Sequence, residues 1–272
     1  MTTDYIYQKL LKTVNDYGDL VETRNHLTKS CCDLESIFFA QTPLVTLRKT
    51  AWRMALREME WFMSGDMRCP DELLPWWNDQ LTNGMYRGGY SHQYRRSGYS
   101  GNFDQIKYLL DGLRNNPNSR RLVMTTWNPS DMANITELNH NPLTPSCCHG
   151  SMIHLFVRDG TLFMTHYQRS ADMLLGIIHN WCQYWALLMY FSSHAKLNVG
   201  SLRYVIGDAH IYCDPSHLDV VKAIINCDVS KRLLPSPRLV YNGDGKGDFK
   251  ASDFEMVGEI QEPITTIRPK LF

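Results

Sequence analysis

Residues 153–176 read IHLFVRDGTLFMTHYQRSADMLLG. Ile153 to Val157 and Thr161 to His166 are rich in β-branched, aromatic and other apolar residues. The Arg158-Asp159-Gly160 turn between them predicts two strands joined as a hairpin. The apolar run from Leu174 to Tyr190 is too long for one strand and predicts a helix. Working outward, a further strand is expected at Leu122 to Trp127, and Asp214-Pro215 supplies an N-cap and first-turn proline for a helix ending near Ile225. Upstream, a helix is expected over Phe103 to Arg114, with Ile106, Leu109, Leu110 and Leu113 on its apolar face. Another runs from Leu47 to Ser64, burying Trp52, Ala55, Leu56, Met59 and Phe62 before Gly65. Near the start, Ile6, Leu10 and Val14, joined by Tyr7 and Leu11, form a helical stripe with Thr3 or Asp4 as cap and Gly18 as stop. The order is mixed α/β, without repeats or low-complexity linkers.

The composition sets bounds on function. A chain of 272 residues with 43% hydrophobic and 11% aromatic content can bury one large core, and a single domain over residues 1–272 is expected. Lys plus Arg equals Asp plus Glu at 28 each, so no overall field draws the chain to nucleic acid or anionic membrane, and any anion site must be local. The opening MTTDYIYQKLLK lacks the marks of a secretory signal, and no stretch approaches the roughly 20 apolar residues of a membrane span. A cytoplasmic protein with reduced thiols is the expectation. Its eight cysteines stand at 31, 32, 69, 147, 148, 182, 213 and 227 with no CxxC pair or zinc-site spacing, so no metal is expected.

The stretch TPSCCHG at 144–150 sets two adjacent thiols against a histidine. A free cysteine is by default a small buried hydrophobe, and a vicinal disulfide strains the peptide between its cysteines. Taken alone, the residues leave core filler, ligand and nucleophile open.

Eight short motifs, read in order, narrow this. They are PLVTLRK at 43–49, REMEWFMSGD at 57–66, GGYSHQYR at 88–95, RRLVMTTWNP at 120–129, CCH at 147–149, HYQRSADMLLG at 166–176 followed by Asn180, GDAHIY at 207–212 and SDFEMVG at 252–258. Together they resemble the thymidylate synthase family over nearly the whole chain. The resemblance implies a three-layer α/β fold with a large mixed sheet covered by helices and packed against a second subunit. It also implies dUMP and folate as ligands.

The chemistry of that family accounts for the residue types. C5 of a pyrimidine is a poor nucleophile, and adding a thiolate at C6 turns the ring into a carbanion that attacks a one-carbon electrophile. By resemblance Cys148 is the nucleophile, followed by His149, and its ordinary pKa of about 8.5 falls when arginines stand near. Cys147 occupies a position that is usually proline and is read as a bystander. Arg169 and Ser170 match phosphate ligands, and Arg24 matches one more loosely because Asn25-His26-Leu27-Thr28 follows it. Arg120 and Arg121 resemble a pair that reaches into the site of the other subunit of a homodimer. His210 and Tyr212 would hold the sugar 3′-hydroxyl. Asn180, eleven residues after Arg169, would read the base: an amide donates to O4 and accepts from N3–H of uracil, whereas aspartate there suits cytosine. Glu58 resembles a carboxylate shuttling protons at O4, and Tyr90 a residue that helps remove the C5 proton. Trp76, fourteen residues before Tyr90, and Asp172 resemble folate contacts, which implies 5,10-methylenetetrahydrofolate as cosubstrate.

Departures from the family pattern gather around the folate cap. Ile178-His179 and Cys182-Gln183 flank Asn180 in place of less polar pairs, Asp79 stands where a second tryptophan is expected, and the chain ends Arg268-Pro269-Lys270-Leu271-Phe272. A wetter cap favours capture of the methylene intermediate by water over return of hydride from the carrier. On this reading the sequence predicts a deoxyuridylate hydroxymethylase of the kind phages use, with thymidylate synthase as the alternative. A dCMP-type hydroxymethylase and a non-catalytic nucleotide- or RNA-binding relative stand lower, and so does a Cys-His hydrolase. The spacing from Cys148 to Arg169, 21 residues, is one longer than the family pattern and predicts a bulge in the strand after Gly150.

Overall fold

A computed structural model describes residues 2–23, 25–81, 83–86, 89–98, 101–129, 151–232 and 235–270. The hairpin forms as the Asp159-Gly160 turn requires. Both residues have positive φ, 48° and 69°, and β5 (Met152–Arg158) pairs antiparallel with β6 (Thr161–Asp172) directly across them. β6 continues six residues past the predicted end at His166, because β7 (Asn198–Tyr212) lies parallel to it from Thr161↔Asn198 to Asp172↔His210. The crossover between them is α6 (Ile177–Ala195), apolar around most of its circumference and buried accordingly.

The main sheet has the order β1-β2-β7-β6-β5-β4, with β1 at Asp19–Glu22, β2 at Leu27–Cys31 and β4 at Val123–Thr125; β3 (Ile37–Phe39) also pairs with β7. All pairs but β6–β7 are antiparallel. β8 (Arg238–Tyr241) and β9 (Phe254–Val257) form a separate hairpin-like pair. The bulge expected after Gly150 is not within β5, which pairs regularly along its length. The irregularity lies on β7 instead, where Leu162↔Val199 is followed by Met164↔Leu202. Gly200 sits in that irregularity, and a Cβ there would come within 2.6 Å of the Leu162 carbonyl oxygen, so only glycine allows this approach.

Helices build outward from one face of the sheet. α6 lies on β6 and β7, α2 (Trp52–Ser64) packs on α6, and α4 (Tyr90–Arg95) packs on α2. Trp181 of α6, fully buried, meets the rings of Phe39 at 4.9 Å, Tyr7 at 6.2 Å and Tyr204 at 6.4 Å. α5 (Gln105–Asn115) begins at Asp104, which caps the Lys107 amide. α1 (Thr3–Tyr17) begins one residue after its cap, Thr2, and stops at Gly18; α7 (Pro215–Ile225) starts at Asp214 as predicted. α3 (Leu74–Trp77) is a single turn. α2 begins at Trp52 rather than Leu47, because the first bond of a longer helix, from the Ala51 N–H to the Leu47 carbonyl, is not made. The Ala51 N–H donates to His179 at 3.2 Å and the Leu47 carbonyl accepts from the Ile264 N–H at 3.1 Å, while Asp4 accepts from the Thr46 and Leu47 N–H groups at 2.7 and 3.3 Å. On another part of the sheet surface Met152 and Tyr167, cross-strand partners, are both exposed.

Candidate active site

Stacking α2 on α6 brings Glu58 and Asn180 into one network with four residues that the sequence reading does not assign: Trp77, Gln168, Gln183 and Tyr204. Glu58 faces α6 and is buried; one carboxylate oxygen accepts from the Trp77 indole N–H, the other from the Gln183 amide at 2.6 Å. Burial pushes the Glu58 carboxyl up to about 7, against the opposing pull of these two donors. The second Gln183 N–H donates to the Ala55 carbonyl at 2.9 Å, and its oxygen accepts from Asn180 Nδ2 at 3.0 Å. Asn180 Oδ1 in turn accepts from Gln168 Nε2 at 3.2 Å. Gln168 also donates to the Ser170 carbonyl at 2.9 Å and accepts from the Tyr204 hydroxyl. A continuous relay therefore runs Tyr204, Gln168, Asn180, Gln183, Glu58, with each residue donating to the next.

A second row follows from the β6–β7 register, which sets Ser170 beside Asp208 and Asp172 beside His210. Asp208 Oδ2 lies 3.1 Å from His210 Nδ1 and 3.3 Å from Ser170 Oγ, while Ser30 donates to Oδ1. Burial alone would raise the Asp208 carboxyl, but hydrogen bonds from His210, Ser30 and Ser170 hold it below its ordinary range. With Nδ1–H held by Asp208, Nε2 of His210 is left as the acceptor of the ring. Tyr212 stands two residues on along β7, its ring 5.3 Å from that of His210. The Asn25 amide lies 3.5 Å from its hydroxyl. Arg169 is exposed, its guanidinium 5.6 Å from the centre of the Trp127 ring.

The other predicted residues are placed as follows. Tyr90 is fully buried at the start of α4, its ring 4.6 Å from Phe62 and 6.2 Å from Trp77. Trp76 is exposed and its ring lies 5.3 Å from that of His179. Asp172 uses one oxygen to accept from the Leu174 and Leu175 amides at 2.7 and 3.0 Å, shaping the turn into α6. Arg120 and Arg121 are both exposed ahead of β4, apart from the relay; their carbonyls accept from His154 and Tyr108. Arg24, Cys147, Cys148 and His149 lie outside the described residues.

Of the groups expected to wet the cap, His179, Cys182 and Gln183 have their polar atoms turned inward. His179 Nδ1 bonds the Leu175 carbonyl at 2.7 Å and Nε2 accepts from Ala51, and burial drops its pKa to about 4 although the Leu175 carbonyl opposes this. Cys182 is buried against the Pro43 carbonyl, and burial pushes its thiol up to about 12. Gln183 has every polar atom engaged. In the tail, the Lys270 backbone bonds Ser216 and His217 at the start of α7. Asp79 is exposed.

Trp77, Gln168, Gln183, Tyr204 and Asp208 escaped the reading of the sequence as site residues. Gln168 and Asp208 lie inside the motifs quoted above, and Gln183 stands among the departures from the family pattern. Its position, three residues after Asn180 on a helix, puts the two side chains on one face, and that was the available signal.

The sequence model of the thymidylate synthase family matches residues 5–267. A thymidylate synthase of Corynebacterium aurimucosum is 34% identical over 236 residues, which take in 84% of this chain and 82% of that protein. A bifunctional dihydrofolate reductase-thymidylate synthase of Arabidopsis thaliana is 29% identical over 286 aligned residues. That match covers 94% of this chain and 48% of the plant protein, so the chain spans about half the length of that relative. With a mixed sheet crossed by a buried helix that carries the amide and faces the carboxylate, and with a family match running almost from end to end, the chain belongs to the thymidylate synthase family.

Proposed function

We propose that the chain transfers the one-carbon unit of methylenetetrahydrofolate to C5 of dUMP and that the same carrier returns hydride, giving dTMP and dihydrofolate. The relay carries this reading. It leaves Asn180 one N–H and one lone pair in the arrangement that O4 and N3–H of uracil require, and it links that amide through one side chain to a carboxyl poised near neutrality. In this scheme the Cys148 thiolate adds to C6, C5 attacks the one-carbon unit, and the C5 proton leaves through water held near Tyr90. The thiolate departs once the methyl group is formed. His149 belongs to the same catalytic segment. Arg24, Arg169 and Ser170 bind the phosphate, His210 and Tyr212 the 3′-hydroxyl, and Trp76 and Asp172 the folate. Arg120 and Arg121 serve the partner subunit of a homodimer, for which the exposed Met152–Tyr167 pair offers an apolar contact. We take residues 1–272 to act as one catalytic domain in the cytoplasm. Among the described residues no helix is long and apolar enough to cross a membrane.

Water capture, which the sequence favoured, rested largely on His179, Cys182 and Gln183 as hydrating groups. With their polar atoms engaged inward, what supports it is reduced to Asp79 and the tail, and hydride return is the better reading. The name of the Corynebacterium relative supports the same choice.

The test is to incubate the protein with dUMP and methylenetetrahydrofolate, follow the absorbance of dihydrofolate, and weigh the product nucleotide. A rising trace and a methylated nucleotide are expected. A flat trace with a hydroxymethylated product would replace this reading with the hydroxymethylase, and no turnover with measurable dUMP binding would favour a non-catalytic relative. Cys148→Ser should abolish turnover and leave dUMP binding measurable, because the phosphate and base contacts do not involve sulfur. Loss of activity in Cys147→Ser with Cys148→Ser still active would reverse the assignment.

A further inference from the structure

We propose that Gln183 is a specificity-determining and positioning residue: it fixes the Asn180 amide in the orientation that reads uracil and couples that orientation to Glu58. The inference rests on the nucleotide reading above. An asparagine amide is not in itself selective between the two pyrimidines. With nitrogen toward position 4 and oxygen toward position 3 it matches uracil; turned by half a rotation it offers an acceptor to N4–H and a donor to N3 and matches cytosine. Selectivity therefore requires that something hold the amide one way round.

Two backbone carbonyls, which can only accept, set the polarity of the relay. The Ala55 carbonyl, 2.9 Å from Gln183, identifies that end of the side chain as nitrogen, so the Gln183 oxygen faces Asn180 and demands Nδ2. The Ser170 carbonyl, 2.9 Å from Gln168, does the same from the other side, so a Gln168 N–H faces Asn180 and demands Oδ1. Turning Asn180 over would set nitrogen against nitrogen and oxygen against oxygen in a buried site, where each unmade bond is costly. Of the two clamps, Gln183 alone also reaches the carboxylate, with its remaining N–H 2.6 Å from Glu58.

The experiment measures equilibrium binding of dUMP and of dCMP without folate, together with kcat on dUMP, for the wild type, Gln183→Met and Gln183→Glu. Methionine fills the volume but neither accepts nor donates, so discrimination for dUMP over dCMP should fall about tenfold, mainly through gained dCMP affinity, and kcat should fall as well. Glutamate still accepts from Asn180, so discrimination should stay within about twofold of wild type. Its single proton cannot serve both the Ala55 carbonyl and Glu58, so kcat should fall. A merely structural role would not separate binding selectivity from kcat in this way. Wild-type discrimination in a folded Gln183→Met, checked by circular dichroism, overturns the inference and leaves the nucleotide reading standing. Should Gln183→Met not fold, Gln183→Glu decides: kept discrimination with lowered kcat supports the inference, and lost discrimination overturns it. A wild type that does not prefer dUMP overturns both.

Discussion

The relay from Tyr204 to Glu58 and the row from Ser30 to Tyr212 use similar side chains but commit them differently. In the relay, both N–H groups of Gln168 and of Gln183 donate to neighbours and each amide oxygen accepts from one, and burial holds the one carboxyl near neutrality. In the row, Asp208 keeps its charge and is partly open to solvent, and His210 is part-buried beside it. A buried and satisfied network has few alternative arrangements and suits discrimination between bases, whereas a partly wet charged row suits capture of a sugar and phosphate.

Removing the acid from the relay is the hardest test of that contrast. Glu58→Gln should cut kcat by about 100-fold or more, within the range for a lost acid–base group, with dUMP affinity little changed. A kcat within about fivefold of wild type would mean that the relay does not handle protons.

The pH dependence of stability comes next. Glu58 titrates near 7 in the folded state against 4.5 as a free group, so the folded form holds the proton more firmly and stability falls as pH rises through that window. His179 titrates near 4 against 6.5, so the unfolded form takes the proton first and stability falls as pH drops from 6.5 toward 4. Each is worth on the order of 3 kcal/mol, and the two slopes oppose each other. Urea midpoints of the wild type should therefore be nearly level between about pH 5 and 6.5, while Glu58→Gln should lose stability on acidification over that range. Equal profiles for the two proteins would place the Glu58 carboxyl outside this window.

In the row, Asp208→Asn should weaken dUMP and dCMP binding alike, by about tenfold, because it loosens His210 without touching Asn180. A change in the ratio of the two affinities would show that the regions are coupled. The smallest effect on stability belongs to Arg121→Ala. The side chain is exposed, so the unfolding free energy should change by no more than about 0.5 kcal/mol even where turnover suffers. A larger loss would make Arg121 part of the fold.

The elements that announced themselves in the sequence are those fixed by local chemistry: the Asp159-Gly160 turn, the Asp214-Pro215 helix start and the long apolar run that became α6. β7 did not, because its extent follows from pairing with β6, a contact made across an intervening helix. The start of α2 differs from the sequence expectation for a similar reason, since His179 and Ile264, both distant in sequence, take the Ala51 N–H and the Leu47 carbonyl that a longer helix would have joined. Motifs pointed to Glu58 and Asn180. They were silent on Gln183, whose role depends on α2 lying against α6 and on which way an amide faces Ala55.

The placement of α6 also has a consequence in time. It is the crossover that lets β6 and β7 lie parallel, and its side chains are buried among the sheet, α2 and α5. Such an element cannot open without exposing the centre of the molecule, so its amides should exchange hydrogen only at the rate of global unfolding. Asn180 and Gln183 thus sit on the slowest-breathing part of the chain, and adjustments that admit ligands fall to the segments around it.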